Sequence, residues 1–190
     1  VNYARRPLVH YKQPINDHWT ATFGVEKPDI YIDETGYPAD SKDTPMPDIG
    51  ANLRWDKADT GHMQLSSIVR YIAVSSDLNG DEECMGWGFN LGGSYNVTPS
   101  DSLLGLVNYG EGIGGMGNDT SFTDSDAAFN EYGHLEALRY YSLMMALTHE
   151  WNTRWRSTVT YGYVNLDNTA AQAPDAYHST VYSSANVICQ

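Results

Sequence analysis

Residues 85–97 alternate without a break. The odd positions are Met85, Trp87, Phe89, Leu91, Gly93, Tyr95 and Val97, and the even positions between them are Gly86, Gly88, Asn90, Gly92, Ser94 and Asn96. Successive side chains of a strand point to opposite faces, so one face is greasy and aromatic and the other small or polar. Thirteen residues is also about twice the length of an ordinary soluble strand. A long strand with no apolar second face has few ways to be buried, and this limits the fold more than any other feature.

The pattern recurs. At 49–56 the apolar face is Ile49, Ala51, Leu53 and Trp55; at 62–73 it is Met63, Leu65, Val69, Tyr71 and Ala73. At 154–163 it is Trp155, Val159, Tyr161 and Tyr163, and at 18–26 it is Trp19, Ala21, Phe23 and Val25. Weaker alternation at 8–13, 102–109, 142–151 and 178–188 brings the expectation to nine strands. The connections between them alternate short and long. Residues 14–17, 57–60, 98–101 and 152–153 are short; 27–47, 75–83, 110–141 and 166–177 are long. Short turns at one end and long loops at the other describe an up-and-down barrel, whereas a Greek-key sandwich mixes the two. The alternating piece at 133–139 would break the parity as a full span, so it belongs inside the third long loop. That loop, 110–140, is expected to fold inward as a constriction.

Charge follows the same division. The chain carries a formal −13, and residues 27–48, 76–84, 110–140 and 167–177 hold −15 of it, leaving the rest at +2. With a pI near 4.6 the chain is a poor partner for nucleic acid, whose phosphates require a basic surface. Apolar residues at 41%, with fourteen Tyr and five Trp, exclude a disordered chain. No run of about 18 apolar residues is present, which excludes a spanning helix and leaves a spanning barrel open.

In hydrocarbon every backbone group must be satisfied internally, which leaves helices or closed barrels. The fold expected is therefore all-β, an antiparallel up-and-down transmembrane β-barrel with about nine strands in this chain. Trp19, Trp55, Trp87, Trp151 and Trp155 would sit with tyrosines at the membrane interfaces. The polar face carries Gly, Ser, Thr, Asn and Gln, which suits water and fails as a core. Arg54, Arg70, Arg154 and Arg156 fall on that face with Lys12, His62 and His10. Unpaired guanidinium groups in a narrow lumen attract anions; the plainer reading pairs them with wall acids such as Asp56, Glu26 or Glu150, or with acids of the inward loop. Arg70 and Arg54 lie in the strongest patterns and are the first choices as pore-lining residues.

Other motifs lead nowhere. Gly110, Gly112 and Gly115 match G-x-G-x-x-G after a strand, but Met116-Gly117-Asn118-Asp119 is turn-forming where a dinucleotide site needs a helix. A tight bend opening the constriction loop is the better reading. Asp77, Asn79 and Asp81 have the first-half spacing of a calcium loop without its glycine and distal Glu, so an external Ca²⁺ site there is the lesser alternative to an acidic turn. His149-Glu150 lacks the second His of a zinc protease, and no nucleophile–base grouping points to an enzyme. Cys84 and Cys189 have no metal or CxxC spacing.

Taken in order, Pro47-Asp48-Ile49-Gly50-Ala51-Asn52-Leu53-Arg54-Trp55, Gly61-His62-Met63-Gln64-Leu65, Gly86-Trp87-Gly88-Phe89-Asn90-Leu91, Asn108 to Gly114, and Trp155-Arg156-Ser157-Thr158 with Tyr161-Gly162-Tyr163 resemble the DcaP-like trimeric outer-membrane porins. The resemblance runs from about Arg6 to Ile188. It implies a sixteen-stranded barrel, a homotrimer in the outer membrane of a Gram-negative bacterium, and passive uptake of small, mainly anionic, dicarboxylate-like solutes. Nine strands do not close such a barrel, so residues 1–190 are expected to be one barrel domain, incomplete at both ends. The competing expectations are a soluble β-sandwich that binds carbohydrate through exposed Trp and Tyr, and an enzyme built on an outer-membrane barrel.

Overall fold

A computed structural model describes residues 7–77, 80–117, 119–120 and 123–189. Nine long strands form one antiparallel sheet: β1 (Leu8–Pro14), β2 (Trp19–Glu26), β5 (Asp48–Lys57), β6 (Gly61–Ser75), β7 (Glu82–Asn96), β8 (Asp101–Glu111), β11 (Arg139–Glu150), β12 (Trp155–Leu166) and β13 (Ser179–Cys189). They pair in that order, each with its neighbours in sequence, and β1 and β13 are the open edges. The loops hold four short strands, β3 (Ile32–Asp33), β4 (Ser41–Asp43), β9 (Ala127–Phe129) and β10 (Leu135–Ala137). β4 extends the main sheet along β6, while β3, β9 and β10 make a small sheet joining the first and third long loops.

All nine expected spans are present in the main sheet. β11 starts three residues earlier than the alternation predicts, because Arg139 already pairs with Glu111. The piece at 133–139 does lie largely within the third loop, as β10. Short turns use Asn16 and Asn152 in the same way: each Oδ1 accepts the backbone N–H groups two and three residues on, at His18 and Trp19 and at Arg154 and Trp155. Side-chain amides that mimic a backbone turn suit such tight reversals.

Every ladder pairs odd with odd and even with even, from Lys12↔Thr22 to Val164↔Thr180, so one parity marks one face across the whole sheet. One even row runs Lys12, Thr22, Asn52, Ser66, Asn90, Asn108, Ser142, Val164. This row stands two residues from the turn end of β1 and nine from that of β12. At ~3.3 Å per residue and ~4.8 Å between strands, a climb of about one residue per strand means a lean of roughly 35°. Closed barrels need a lean of about 35–45°.

The odd face is bare. Phe23, Leu53, Leu65, Val69, Phe89, Leu91, Met145, Val159 and Val181 are all exposed, and among the described residues no second sheet of comparable size covers them. The sandwich alternative, which puts these side chains in a dry interior, is therefore not this fold. The packed core lies on the even face at the loop end. Ile72 and Val74 of β6 meet Ile32, Ala127, Phe129 and Leu135, and Tyr140, Val164 and Leu166 meet Ile113, Ala128 and Leu138. The expectation of a wholly polar lumen is thus corrected at that end. Ile72 and Val74 are apolar even residues because inward loops, not water, lie against them.

Candidate functional site

Height above the turn end organises both faces. On the odd face, Trp19, Trp55, Tyr95 and Trp155 lie within two residues of their strands' turn ends, with Trp151 in a turn. Tyr71, Trp87, Tyr109, Tyr141 and Tyr163 stand eight to ten residues up. At the lean found above, the two aromatic bands are ~22 Å apart along the axis about which a sheet of that lean would close. Between them, among the described residues, the outward side chains are Leu, Val, Met, Phe, Ala, Gly, Ser and Tyr, with no charge; Lys57, Asp101, His149, Glu83, Glu111 and Arg139 lie at or beyond the bands. Rings also touch within the upper band, where Trp87 packs edge-on to Phe89 and Tyr109 at 5.9 and 5.8 Å.

On the even face six of the expected lumen residues, His10 apart, separate into two levels. Lys12, Arg54, His62 and Arg156 lie within three residues of the turn end, and Arg154 is in the turn itself rather than on β12. Arg54 grips Asp56 with two hydrogen bonds, Nε to Oδ2 at 2.5 Å and Nη2 to Oδ1 at 2.8 Å, and both side chains remain solvated. His62 shares a hydrogen bond of 3.1 Å with the Ser94 hydroxyl. Lys12 and Arg154 are exposed, and the half-buried Arg156 has its Nε without an acceptor.

Arg70 is a correction. It stands nine residues up β6 with its guanidinium fully buried. Nε donates to Asp48 Oδ2 at 3.1 Å, Nη1 to the Gly112 carbonyl at 2.9 Å, and Nη2 to the Asp29 carbonyl at 2.6 Å. Asp126 Oδ2 of the third loop lies 3.2 Å from Nη1 and also accepts from Tyr31 N–H, while Oδ1 accepts from Gly115 N–H. Burial pushes the Asp126 carboxyl up, against the pull of Arg70. Four carbonyl and carboxylate groups around one planar cation leave nothing to offer a solute. Arg70 instead fastens the first and third loops to the wall.

Below those loops a cavity of about 460 Å³ opens on the even face. Thr22, Asn52, Ser66, Asn90 and Asn108 line it as consecutive members of the climbing row, and toward the loop end it is lined by Ile68 of β6 and Tyr140 of β11 on the same face, with Ile113 and Met116 of the third loop. The row is partly linked: Asn90 Nδ2 donates to Asn108 Oδ1 at 2.6 Å, and Asn108 Nδ2 donates to Ser142 Oγ at 2.7 Å. The third loop reaches this depth because Gly88 makes room. A Cβ there would come within 2.7 Å of the Ile113 methyl. Gly112, at φ +72°, supplies the bend that turns the chain inward, and Gly114–Met116 form a single 3-10 turn.

The alternation located the inward residues but missed this row, since pairing partners are set by turn lengths that single strands do not reveal. Asn79 lies outside the described residues, and among those described no three His, Cys, Asp or Glu side chains gather to hold a metal. The Asp77 N–H donates to Asp40 Oδ2 at 2.7 Å. Cys84 and Cys189 are free and on opposite ends of the sheet.

No protein-family profile and no curated protein sequence matches the chain, so no family is shown. The chain is similar to a solved structure titled CymD monoaromatic hydrocarbon channel, at 11% identity and a TM-score of 0.41, over 96% of this chain. It spans 64% of that channel's length. A likeness this weak carries nothing about solute or mechanism.

Proposed function

We propose that this chain is part of the wall of an outer-membrane channel through which small hydrophilic molecules diffuse passively. The observation that carries the reading is the outward face: an uncharged, exposed band bounded by two aromatic girdles ~22 Å apart, against the ~25 Å apolar height of outer-membrane barrels. Water would penalise such a surface and lipid rewards it, with amphipathic rings settling at the two interfaces. On the finer reading, the wall is completed to sixteen strands by further strands, as in DcaP-like porins, and three copies assemble. The collar of Lys12, Arg54, Arg154, Arg156 and His62 at the turn end would raise the local concentration of anions such as dicarboxylates. Arg54 contributes least to it, since Asp56 already neutralises its charge. The inward loops set the size limit, and no bond chemistry is involved.

Reconstitution into planar bilayers tests this directly. Stepwise conductance is expected, with a reversal potential in a salt gradient showing anion preference. Extraction from cells without detergent, or a lipid-free monomer in solution, would overturn the channel. Cation preference would overturn the selectivity alone.

A further inference from the structure

The cavity under the third loop has a chemistry different from that of the collar. None of the five collar cations lines it, and Arg70 is sealed off above; among the described residues its ionisable lining groups are His10, Glu26 and the Tyr140 hydroxyl. One wall is a band of hydroxyls and amides on five neighbouring strands, an arc of ~19 Å at ~4.8 Å per strand. Among the described residues Thr22 and Asn52 make no side-chain hydrogen bond, and Asn90 Oδ1 accepts none, so donors and acceptors both face the space. Its apolar lining, toward the loop end, is Ile68 and the Tyr140 ring on the same sheet face together with Ile113 and Met116 of the third loop. At about 460 Å³ the volume is within the 300–1,000 Å³ range of small-molecule sites.

We infer that this cavity is a binding subsite for uncharged ring compounds that have one apolar face and one hydroxyl-bearing edge. The amide and hydroxyl row takes the edge, and Ile113, Met116 and Tyr140 take the face. A dianion gains nothing here, because no collar cation lines the cavity and desolvating its charge costs more than hydrogen bonds to the amides and hydroxyls of the row return. A polyol with no apolar face leaves the Ile113–Met116 wall uncovered. The subsite rests on the channel reading and adds a solute class to it. The collar then biases the small-ion current, while the cavity holds neutral solutes in passage.

Single-channel recording with three probes tests it. Phenyl β-glucoside, neutral with a ring at one end and hydroxyls at the other, is expected to interrupt the ionic current at concentrations at least tenfold lower than succinate or sorbitol. Asn52→Leu in the polar row and Met116→Gln in the third loop should each shorten those interruptions about tenfold. Interruptions by succinate equal to those by the glucoside, or unchanged interruptions in both variants, would overturn the subsite and leave the channel standing. No conductance in the unmodified protein would overturn the channel reading and the subsite with it.

Discussion

Arg70 Nη1 of β6 lies 3.2 Å from Asp126 Oδ2 of the third loop, and neither side chain has any solvent exposure. Asp48 on β5 completes a buried set of two carboxylates around one guanidinium. Removing different members has unequal consequences. Arg70→Leu leaves two acids facing each other without a cation, and the loss of one partner of a buried pair costs about 3–5 kcal/mol. Asp126→Asn leaves Arg70 balanced one-to-one by Asp48 and still bonded to the Gly112 and Asp29 carbonyls, so about 1–3 kcal/mol is expected. Urea unfolding of the two variants in lipid vesicles should rank them in that order, and single-channel noise should rise more in Arg70→Leu as both loops come loose. The reverse ranking would mean that Arg70 does not anchor them.

Acid should act on two carboxylates of the anchored loops, Glu34 and Asp126, with opposite signs. The Lys42 ammonium, 2.9 Å from Glu34, holds that carboxyl below its ordinary 4.5, so its contribution to the first loop is present above that value and lost as pH falls below it. Asp126 runs the other way, because burial raises it: its ionisation weighs against the folded loop as pH rises, and acid relieves that cost. Amide exchange, corrected for the intrinsic rate, reads both. Between pH 7 and pH 3.5 the Ala39 amide, which donates to Glu34, should lose protection, while Tyr31 and Gly115, which donate to Asp126, hold or gain it. A parallel fall at all three would contradict the assignment.

A lipid-facing band makes the cost of an outward charge depend on height. Leu91 stands five residues above the turn end of β7 and Tyr95 one residue above it, and both are exposed on the odd face. Leu91→Arg should therefore cost about 2–4 kcal/mol in folding into vesicles, and Tyr95→Arg only about 0–1. On a water-facing surface the two substitutions would cost little and about the same. Equal small costs are the result that would remove the membrane from the argument.

What was legible in the sequence was what one strand can state about itself. Period, length and the side of each residue follow from alternation, so Leu53, Leu65 and Leu91 are outward and Asn52, Asn90 and Asn108 inward as expected. Relations between strands were not legible. Arg70 looks like Arg54 in the pattern, an even-position arginine between apolar neighbours, yet one is sealed by two carboxylates and the other pairs with Asp56 in the open. Their difference is height, nine residues against three, and height becomes decisive only when loops from residues 29 and 126 fold back over the upper wall. The apolar even residues Ile72 and Val74 were the available sign of that cover.

The fit of the third loop into the wall can be measured at one contact. Gly88 lies under Ile113, and a methyl group on it would stand 2.7 Å from Ile113 Cδ1. Gly88→Ala alone overpacks the contact and should cost about 1–3 kcal/mol. Ile113→Ala alone empties it, losing about 2–5 kcal/mol with the cavity left behind. If the two residues meet as described, the double variant replaces part of the lost volume from the wall side, so its cost falls short of the sum by about 0.5–3 kcal/mol. Conductance gives an independent reading: Ile113→Ala widens the passage beside Asn90 and Asn108, and Gly88→Ala by itself narrows it or displaces the loop. Strict additivity in both stability and conductance would mean that the loop does not rest on this strand.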